Sequence, residues 1–117
     1  MARQADDELD DFGRFAEPAV MILISLADGP KHGYLILKDV EERTGGDVRL
    51  GTGTLYGLIK RFLDDELIIE TRADDERRRP YKLTTLGRDV AEAEAARLEK
   101  MVHAARGVKL LTRTRTS

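Results

Sequence analysis

Apolar residues follow a helical rhythm in three successive stretches of the first half of this chain. Residues 19–27 are apolar almost without interruption, which is typical of a helix buried on more than one side. Residues 33–43 show the period of a second helix, and residues 53–65 carry a one-sided apolar stripe. The stripe consists of Leu55, Leu58, Ile59, Phe62 and Leu63. Turn-forming triplets at residues 28–30 and 44–46 separate the three predicted helices.

The pattern changes on either side of these helices. Phe12 and Phe15 extend the apolar spacing backwards, so a helix is predicted from about residue 7 onward. Pro18 either interrupts that helix or serves as its first-turn residue. Residues 48–50 are predicted to form a short extended segment.

Downstream, the chain predicts a hairpin and a long helix. Residues 67–72 and 80–84 have the composition of strands, with residues 73–79 as the loop between them. Thr84 or Thr85 is a suitable N-cap for a last helix, which runs to about residue 106 and is rich in Ala, Glu and Arg.

The last helix carries a heptad seam of small and branched residues. A helix of this length spans about 30 Å and would project beyond a three-helix core, so a partner helix is the favoured cover. The apolar residues of the first helices would supply the rest of a homodimer interface. The candidate interface residues are Phe12, Phe15, Val20, Leu23, Ala91, Ala95, Leu98, Val102 and Ala105.

These elements predict a mostly α fold with a small β-hairpin, namely a winged helix-turn-helix with a long C-terminal dimerisation helix. Residues 1–16 would form an acidic N-terminal segment and residues 17–84 a DNA-binding domain. Residues 85–106 would form the dimerisation helix and residues 107–117 a basic, flexible tail.

Charge is distributed unevenly along the chain. The net charge of −2 argues weakly against DNA binding, but six acids lie within residues 1–17, whereas residues 49–63 hold three cations and no acid. The absence of cysteine excludes disulfides, cysteine zinc sites and thiol catalysis. No apolar run has the length of a signal peptide or a membrane span, so a cytoplasmic protein without membrane contact is expected.

The third helix and the hairpin together predict binding to double-stranded DNA. The helix presents small polar groups to a major groove, its N-terminus favours phosphate, and an arginine-tipped wing follows the backbone. Lys31, at the start of the second helix, is a further candidate for a phosphate contact. The other candidate residues are Thr52, Gly53, Thr54, Tyr56, Gly57, Lys60, Arg61, Arg77, Arg78 and Arg79.

Other interpretations remain open at this point. The third helix could be an ordinary surface helix, and the arginines a solvated turn paired with neighbouring acids. The whole chain could be a protein–protein adaptor on a winged-helix scaffold, or a small-molecule carrier or degenerate enzyme. His32 and His103 are the only histidines, and neither has a second ligand nearby in the sequence. No metal site, cofactor or catalytic residue is expected.

Three motifs resemble the PadR family of bacterial transcriptional regulators over about residues 19–106. They are Gly29-Pro30 with His32-Gly33-Tyr34, then Gly53-Thr54-Leu55-Tyr56 with Arg61, and Tyr81-x-Leu83-Thr84 with Gly87. The resemblance implies a homodimeric repressor of the short branch, bound to a pseudo-palindromic operator. It also implies release by a small aromatic or lipophilic effector, as in several family members.

The chain departs from the family pattern at three points. Gly51 stands where a Ser or Thr is usual before the recognition helix. Glu66 stands where a glycine is frequent, at a position that favours a left-handed backbone. There is no tryptophan, so the stacking of flat drugs between a tryptophan pair, known in some short members, is not expected here. Phe12 and Phe15 are alternative lining residues, although core packing is the expected role of both.

Overall fold

The computed structural model describes residues 16–72 and 79–112. Within these ranges the chain forms three helices, then an antiparallel hairpin, then a long helix, as the sequence predicts. The elements are α1 (Glu17–Ala27), α2 (Gly33–Arg43), α3 (Thr52–Asp64), β1 (Ile68–Glu70), β2 (Tyr81–Leu83) and α4 (Thr85–Gly107).

The predicted ends of the elements differ from the observed ones by small amounts. The bounds of α2 are those predicted, and α3 begins one residue earlier than expected. Both strands are shorter than predicted, and residues 48–50 are not a strand, because they have no ladder partner. Pro18 lies in the first turn of α1, where its missing N–H costs no hydrogen bond.

The core is built within a single chain from all three N-terminal helices and the start of the hairpin. Ile22, Ile36 and Phe62 are each fully buried and come from α1, α2 and α3. Val20 and Leu23 belong to this same core, with 6% and 0% of their surface exposed. Their prediction as dimer-interface residues was wrong, because packing inside one chain leaves them almost no surface for a partner. Phe12 and Phe15 lie outside the described residues.

The C-terminal end of α1 is capped by cations from other parts of the chain. Lys31 Nζ donates to the carbonyl oxygens of Ser25 (2.5 Å) and Gly29 (3.3 Å). Arg88, at the start of α4, donates to the carbonyl oxygen of Ala27 over 3.2 Å. Because α1 has no basic residue in its own last turn, these two side chains stabilise the negative end of its dipole.

A tight turn connects α3 to β1. The N–H of Leu67 donates to the carbonyl of Phe62 (2.9 Å) and the N–H of Glu66 to that of Leu63 (3.1 Å), which is a Schellman ending. Glu66 has a φ of 62°, in the left-handed region. The expectation that this position takes a left-handed backbone is confirmed, and a non-glycine residue carries the strain there.

The hairpin is extended by a third short piece of chain. β1 pairs with β2 in antiparallel register, with Ile68 opposite Leu83 and Glu70 opposite Tyr81. On the other side of β2, the backbones of Lys31 and Tyr81 exchange two hydrogen bonds, of 3.0 and 2.8 Å. The turn before α2 is therefore fixed to the wing.

The start of α4 is fixed against the α3–β1 turn. Thr84 is the N-cap: its hydroxyl accepts from the N–H of Gly87 (2.9 Å) and donates to the carbonyl of Glu66 (2.7 Å). A Cβ on Gly87 would overlap the carbonyl of Leu67. Only glycine therefore allows this close approach of helix and turn.

Beyond its first turns, α4 leaves the core. Val90, Ala91 and Leu98 pack against the core, and within the described residues Leu98 is the last that does. Past it, exposed apolar side chains follow: Met101, Val102, Val108, Leu110 and Leu111. The described helices include none that is long and apolar enough to cross a bilayer.

One charged group of α4 is buried. Glu94 is 1% exposed and forms an ion pair with Arg97 over 2.9 Å, reinforced by a second hydrogen bond of 3.2 Å. The hydrogen bond with Glu94 raises the pKa of the Arg97 guanidinium. The charge of Arg97 offsets the cost of burying the Glu94 carboxylate where α4 lies on the core.

Candidate nucleic-acid interface

The helix α3 divides cleanly into a packed face and an open face. Leu55, Ile59 and Phe62 are buried in the core. The candidate DNA contacts of this helix lie on the other side, where six are exposed and Arg61 is half-buried. The exposed six are Thr52, Gly53, Thr54, Tyr56, Gly57 and Lys60.

The N-terminus of α3 keeps its donors available. Gly51 occupies the N-cap position and provides no side-chain acceptor, so the first-turn N–H groups have no cap from it. The helix dipole adds a positive potential at the same end. Thr52 and Thr54 lie exposed beside these groups, which makes this end of α3 suited to an anion such as a phosphate.

Tyr56 connects α3 to the start of α2. A Cβ on Gly33 would overlap the hydroxyl and ring of Tyr56, so the ring lies directly against the backbone of α2. Half of the Tyr56 surface remains exposed. Burial raises the pKa of the nearby Tyr81 phenol, and Glu70 and Tyr56 add to the rise. Tyr56 thus packs between α2 and α3, a role that the sequence pattern does not indicate.

Two pairs of helical glycines differ in what surrounds them. Gly33 and Gly87 are required by contacts within the chain, since a Cβ at either would overlap neighbouring atoms. Gly53 and Gly57 have nothing within 4 Å of a Cβ and no positive φ. Gly57 lies in the interior of α3, where glycine costs about 1 kcal/mol relative to alanine. The fold of a single chain gives no reason for it, whereas close approach of a groove would.

Each cation of α3 lies beside a carboxylate four residues further on. Lys60 Nζ is 3.0 Å from Asp64 Oδ2, and Arg61 Nε is 3.9 Å from Asp65 Oδ2. On the wing, Arg79 is exposed. Arg77 and Arg78 lie outside the described residues.

Lys31 forms its contacts within the chain. Its ammonium is half-buried and bound to the carbonyls at the end of α1. Its contact with a DNA phosphate stays a prediction, and in the single chain its charge is directed to the end of α1.

Two residues of α2 belong to the open surface and were missed. Tyr34 is 62% exposed and follows Gly33, the residue on which Tyr56 packs. Lys38, one turn later, holds its ammonium 5.7 Å from the centre of the Tyr34 ring. The spacing of four between an aromatic residue and a cation at a helix start is visible in the sequence and is the signal that could have identified this pair.

A metal site and a ligand groove are the other kinds of site considered within the described residues. Within them, no group of three or more His, Cys, Asp or Glu side chains is close enough to hold a metal ion. His32 is the residue before α2, and His103 is exposed on α4. A groove of about 430 Å³ runs along the distal part of α4, lined by Glu99, Lys100, Val102, His103 and Arg106.

Comparison with known proteins gives matches of sequence and of structure. A profile described as "Transcriptional regulator PadR-like family" matches residues 22–93. The chain is also similar to an uncharacterized 37.1 kDa protein in transposon TN4556 of Streptomyces fradiae, with 36% identity over 88 residues. The alignment covers 75% of this chain and 25% of that protein, so the chain spans about a quarter of its relative's length.

Two solved structures resemble the fold closely. A PadR family transcription regulator from hypervirulent Clostridium difficile has a TM-score of 0.66 and 25% identity, covering 80% of this chain and 98% of its own. A transcriptional regulator from Clostridium thermocellum has a TM-score of 0.65 and 20% identity, covering 91% and 97%. The predicted winged helix-turn-helix fold is confirmed by these neighbours together with the profile match.

Proposed function

The chain belongs to the PadR-like family of transcriptional regulators, and from this premise we propose that it binds duplex DNA through α3 and the wing. The observation that supports this most is the open face of α3, where Gly53 and Gly57 have no role inside the chain. In this proposal the N-terminal half of α3 enters the major groove and Arg77, Arg78 and Arg79 follow the backbone.

The contacts divide into two kinds. The first kind comes from α3: its N-terminal N–H groups bind phosphate, and Thr52 and Thr54 donate hydrogen bonds to phosphates and base edges. Gly57 lets this helix approach the groove closely. Tyr34 and Lys38, exposed at the start of α2, add contacts to the DNA backbone. Because Tyr56 packs on Gly33, α2 and α3 approach the duplex as one unit.

The proposed active form is a homodimer on a pseudo-palindromic operator. Its support is the distal part of α4, where apolar side chains are exposed in a single chain. Ala91, Ala95, Leu98, Val102 and Ala105 form the seam of this interface. Phe12 and Phe15 complete it. Two copies related by a two-fold axis would place their α3 helices at half-sites one helical turn, or a multiple of it, apart.

We further propose that the protein is a repressor released by a small lipophilic or aromatic effector. The groove beside Val102 and His103 adjoins the proposed interface and could hold part of such a molecule. An effector acts only if it binds the DNA-competent and DNA-incompetent dimers with different affinity. Inside a bacterial cell, such a regulator would work in the cytoplasm.

Fluorescence anisotropy with DNA from upstream of the gene, at two salt concentrations and against a scrambled duplex, tests this proposal. Selective binding that persists at the higher salt is expected. Arg79→Ala should lower the slope of log affinity against log salt by about 0.9, because one phosphate contact is lost. Lys109→Ala, at an exposed position after the end of α4, is the matched control and should leave the slope unchanged.

The same experiment separates the proposal from its rival, a protein–protein adaptor. An adaptor would bind neither duplex selectively, and Arg79→Ala would then behave like Lys109→Ala. The open face of α3 would in that case be a surface for another protein.

A further inference from the structure

The C-terminal turn of α3 has an arrangement of charges that is unfavourable for a helix. Asp64 is the last residue of α3 and Asp65 is its C-cap. Carboxylates at this end oppose the helix dipole. Both acids also follow their cation by four residues, and this order gives weaker support than an acid that precedes its base.

The acids do not connect separate elements of the fold through these ion pairs. Lys60 and Asp64 lie on one helix, and Arg61 and Asp65 lie on the same helix and its cap. Arg43 differs from the cations of α3 because it contacts two carboxylates, Asp39 on α2 and Asp28 after α1, each over 2.6 Å. The Arg43–Asp28 pair joins two elements of the fold, whereas Arg43–Asp39, like the two pairs of α3, forms between residues four apart along one helix.

The α3 pairs are open enough to exchange with a ligand. The side chains of Lys60 and Asp64 are 78% and 63% exposed, and those of Arg61 and Asp65 are 41% and 33% exposed. Exposed pairs of this kind are weak. A phosphate held at the right place can replace the carboxylate, whereas a poorly placed phosphate gains little from the exchange.

We propose that Asp64 and Asp65 determine the selectivity of DNA binding by competing with phosphates for Lys60 and Arg61. This inference rests on the DNA-binding function proposed above. On an unrelated duplex both cations stay with their carboxylates, so they neutralise few phosphates and few counterions leave the DNA. On the operator, the fit of α3 in the groove brings phosphates to Lys60 and Arg61, and the cations change partner.

The test uses the full chain with Asp64→Asn, Asp65→Asn and the double variant, on an operator obtained by selection from random duplexes and on a scrambled duplex. Neutralising either acid should strengthen binding to the scrambled duplex about twofold to fivefold. The salt slope on that duplex should steepen by about 0.9 per released cation. Affinity for the operator should change less, so the ratio of the two affinities falls.

Two controls separate this mechanism from a change in total charge. Asp89→Asn removes one exposed acid from the first part of α4 and should leave the ratio of affinities as in the parent protein. In a Lys60→Gln background, Asp64→Asn should give no gain on the scrambled duplex, because no cation remains to be released. Circular dichroism of each variant checks that α3 stays folded.

The outcomes are distinguishable. A gain from Asp64→Asn that persists with Lys60→Gln would show direct repulsion of DNA by Asp64 and would overturn the proposal. Equal gains on both duplexes, as large as those from Asp89→Asn, would overturn it as well. In both cases DNA binding itself would stand. If random duplexes yield no enriched sequence and no variant binds DNA, the proposed function fails, and this inference fails with it.

Discussion

The chain before Leu98 and the chain after it differ in where their apolar side chains go. In α1, α2 and α3 most large apolar residues meet in one core, where Ile22, Ile36 and Phe62 are fully buried, although Leu35 stays exposed. In the distal part of α4, Met101 and Val102 are exposed at 57% and 37%. The first region completes its packing within one chain, whereas the second presents an apolar surface.

This difference separates the two contributions that the proposed dimeric regulator needs. The winged region supplies the stability of the single chain and positions the exposed face of α3. The distal helix adds little to that stability, and its exposed apolar area becomes useful only when another surface covers it. Changes in the two regions should therefore be detected by different measurements.

The largest expected effect comes from shortening one apolar side chain in each region. Ile22→Ala should lower the free energy of unfolding by about 3 kcal/mol, because it leaves a cavity in a closed core. Val102→Ala should cost less than about 0.5 kcal/mol in dilute protein and weaken self-association instead. Urea unfolding and sedimentation equilibrium over a range of concentrations measure both. Equal destabilisation of the dilute monomer by both variants would contradict the comparison.

The next effect lies at the junction of the two regions. Gly87→Ala should destabilise the chain by about 2 kcal/mol, because its Cβ would overlap the carbonyl of Leu67. Gly57→Ala, on the open face of α3, is the control and should stabilise the chain by about 1 kcal/mol. Thermal unfolding of the two variants gives the answer. A harmless Gly87→Ala would mean that α4 is not held as closely as the structure indicates.

A smaller effect concerns the strained residue between α3 and the wing. Glu66→Gly should stabilise the chain by about 0.5–1 kcal/mol, because glycine takes a φ of 62° without strain but loses more entropy on folding. Glu41→Gly, on the exposed side of α2, should instead destabilise it by about 1 kcal/mol. Chemical denaturation distinguishes the two signs, and a loss of stability in both variants would rule out relief of strain at Glu66.

The smallest effect is a dependence on pH confined to the winged region. Burial alone would raise the pKa of Asp39, but the hydrogen bond with Arg43 and the charges of Arg43 and Lys31 outweigh it and lower the pKa. Asp39 therefore stabilises the fold above the unfolded-state pKa of about 4, and this contribution is lost as the pH falls through the folded-state value.

Asp39→Asn should reduce the loss of stability between neutral pH and about pH 3. Asp47→Asn, in the turn after α2, serves as the control because Asp47 is exposed. Urea unfolding at both pH values measures the difference. Identical pH profiles for Asp39→Asn and the parent chain would exclude this contribution.

Local rules predicted the elements of the fold well. The apolar stripe of α3 and the turn residues after α2 define helices whose bounds match within a residue. The cap at Thr84 was expected from the local sequence, whereas the left-handed position at Glu66 was expected from the glycine that is frequent there in the family that the chain resembles. Short-range chemistry is sufficient for features of this kind.

Contacts between distant residues could not be predicted in the same way. Lys31 caps α1 instead of facing solvent, and Tyr56 packs against Gly33, because the folded chain brings these groups together. Val20 and Leu23 were assigned to a second subunit since their stretch is apolar on every side, yet α1 lies between α2, α4 and the wing and is covered by them. The sequence pattern indicates burial but not which surface provides it.

The helix α4 is unbroken from Thr85 to Gly107. In the proposed dimer, the number of residues in this helix therefore fixes the rotation of its distal part relative to the winged region. One residue inserted after Leu98 would rotate everything beyond it by about 100° relative to the wing. Seven residues would restore the orientation to within about 20° and move the second copy by about 10 Å. Changes in the length of α4 would therefore be tolerated in steps of whole heptads, and each step would match a different spacing between operator half-sites.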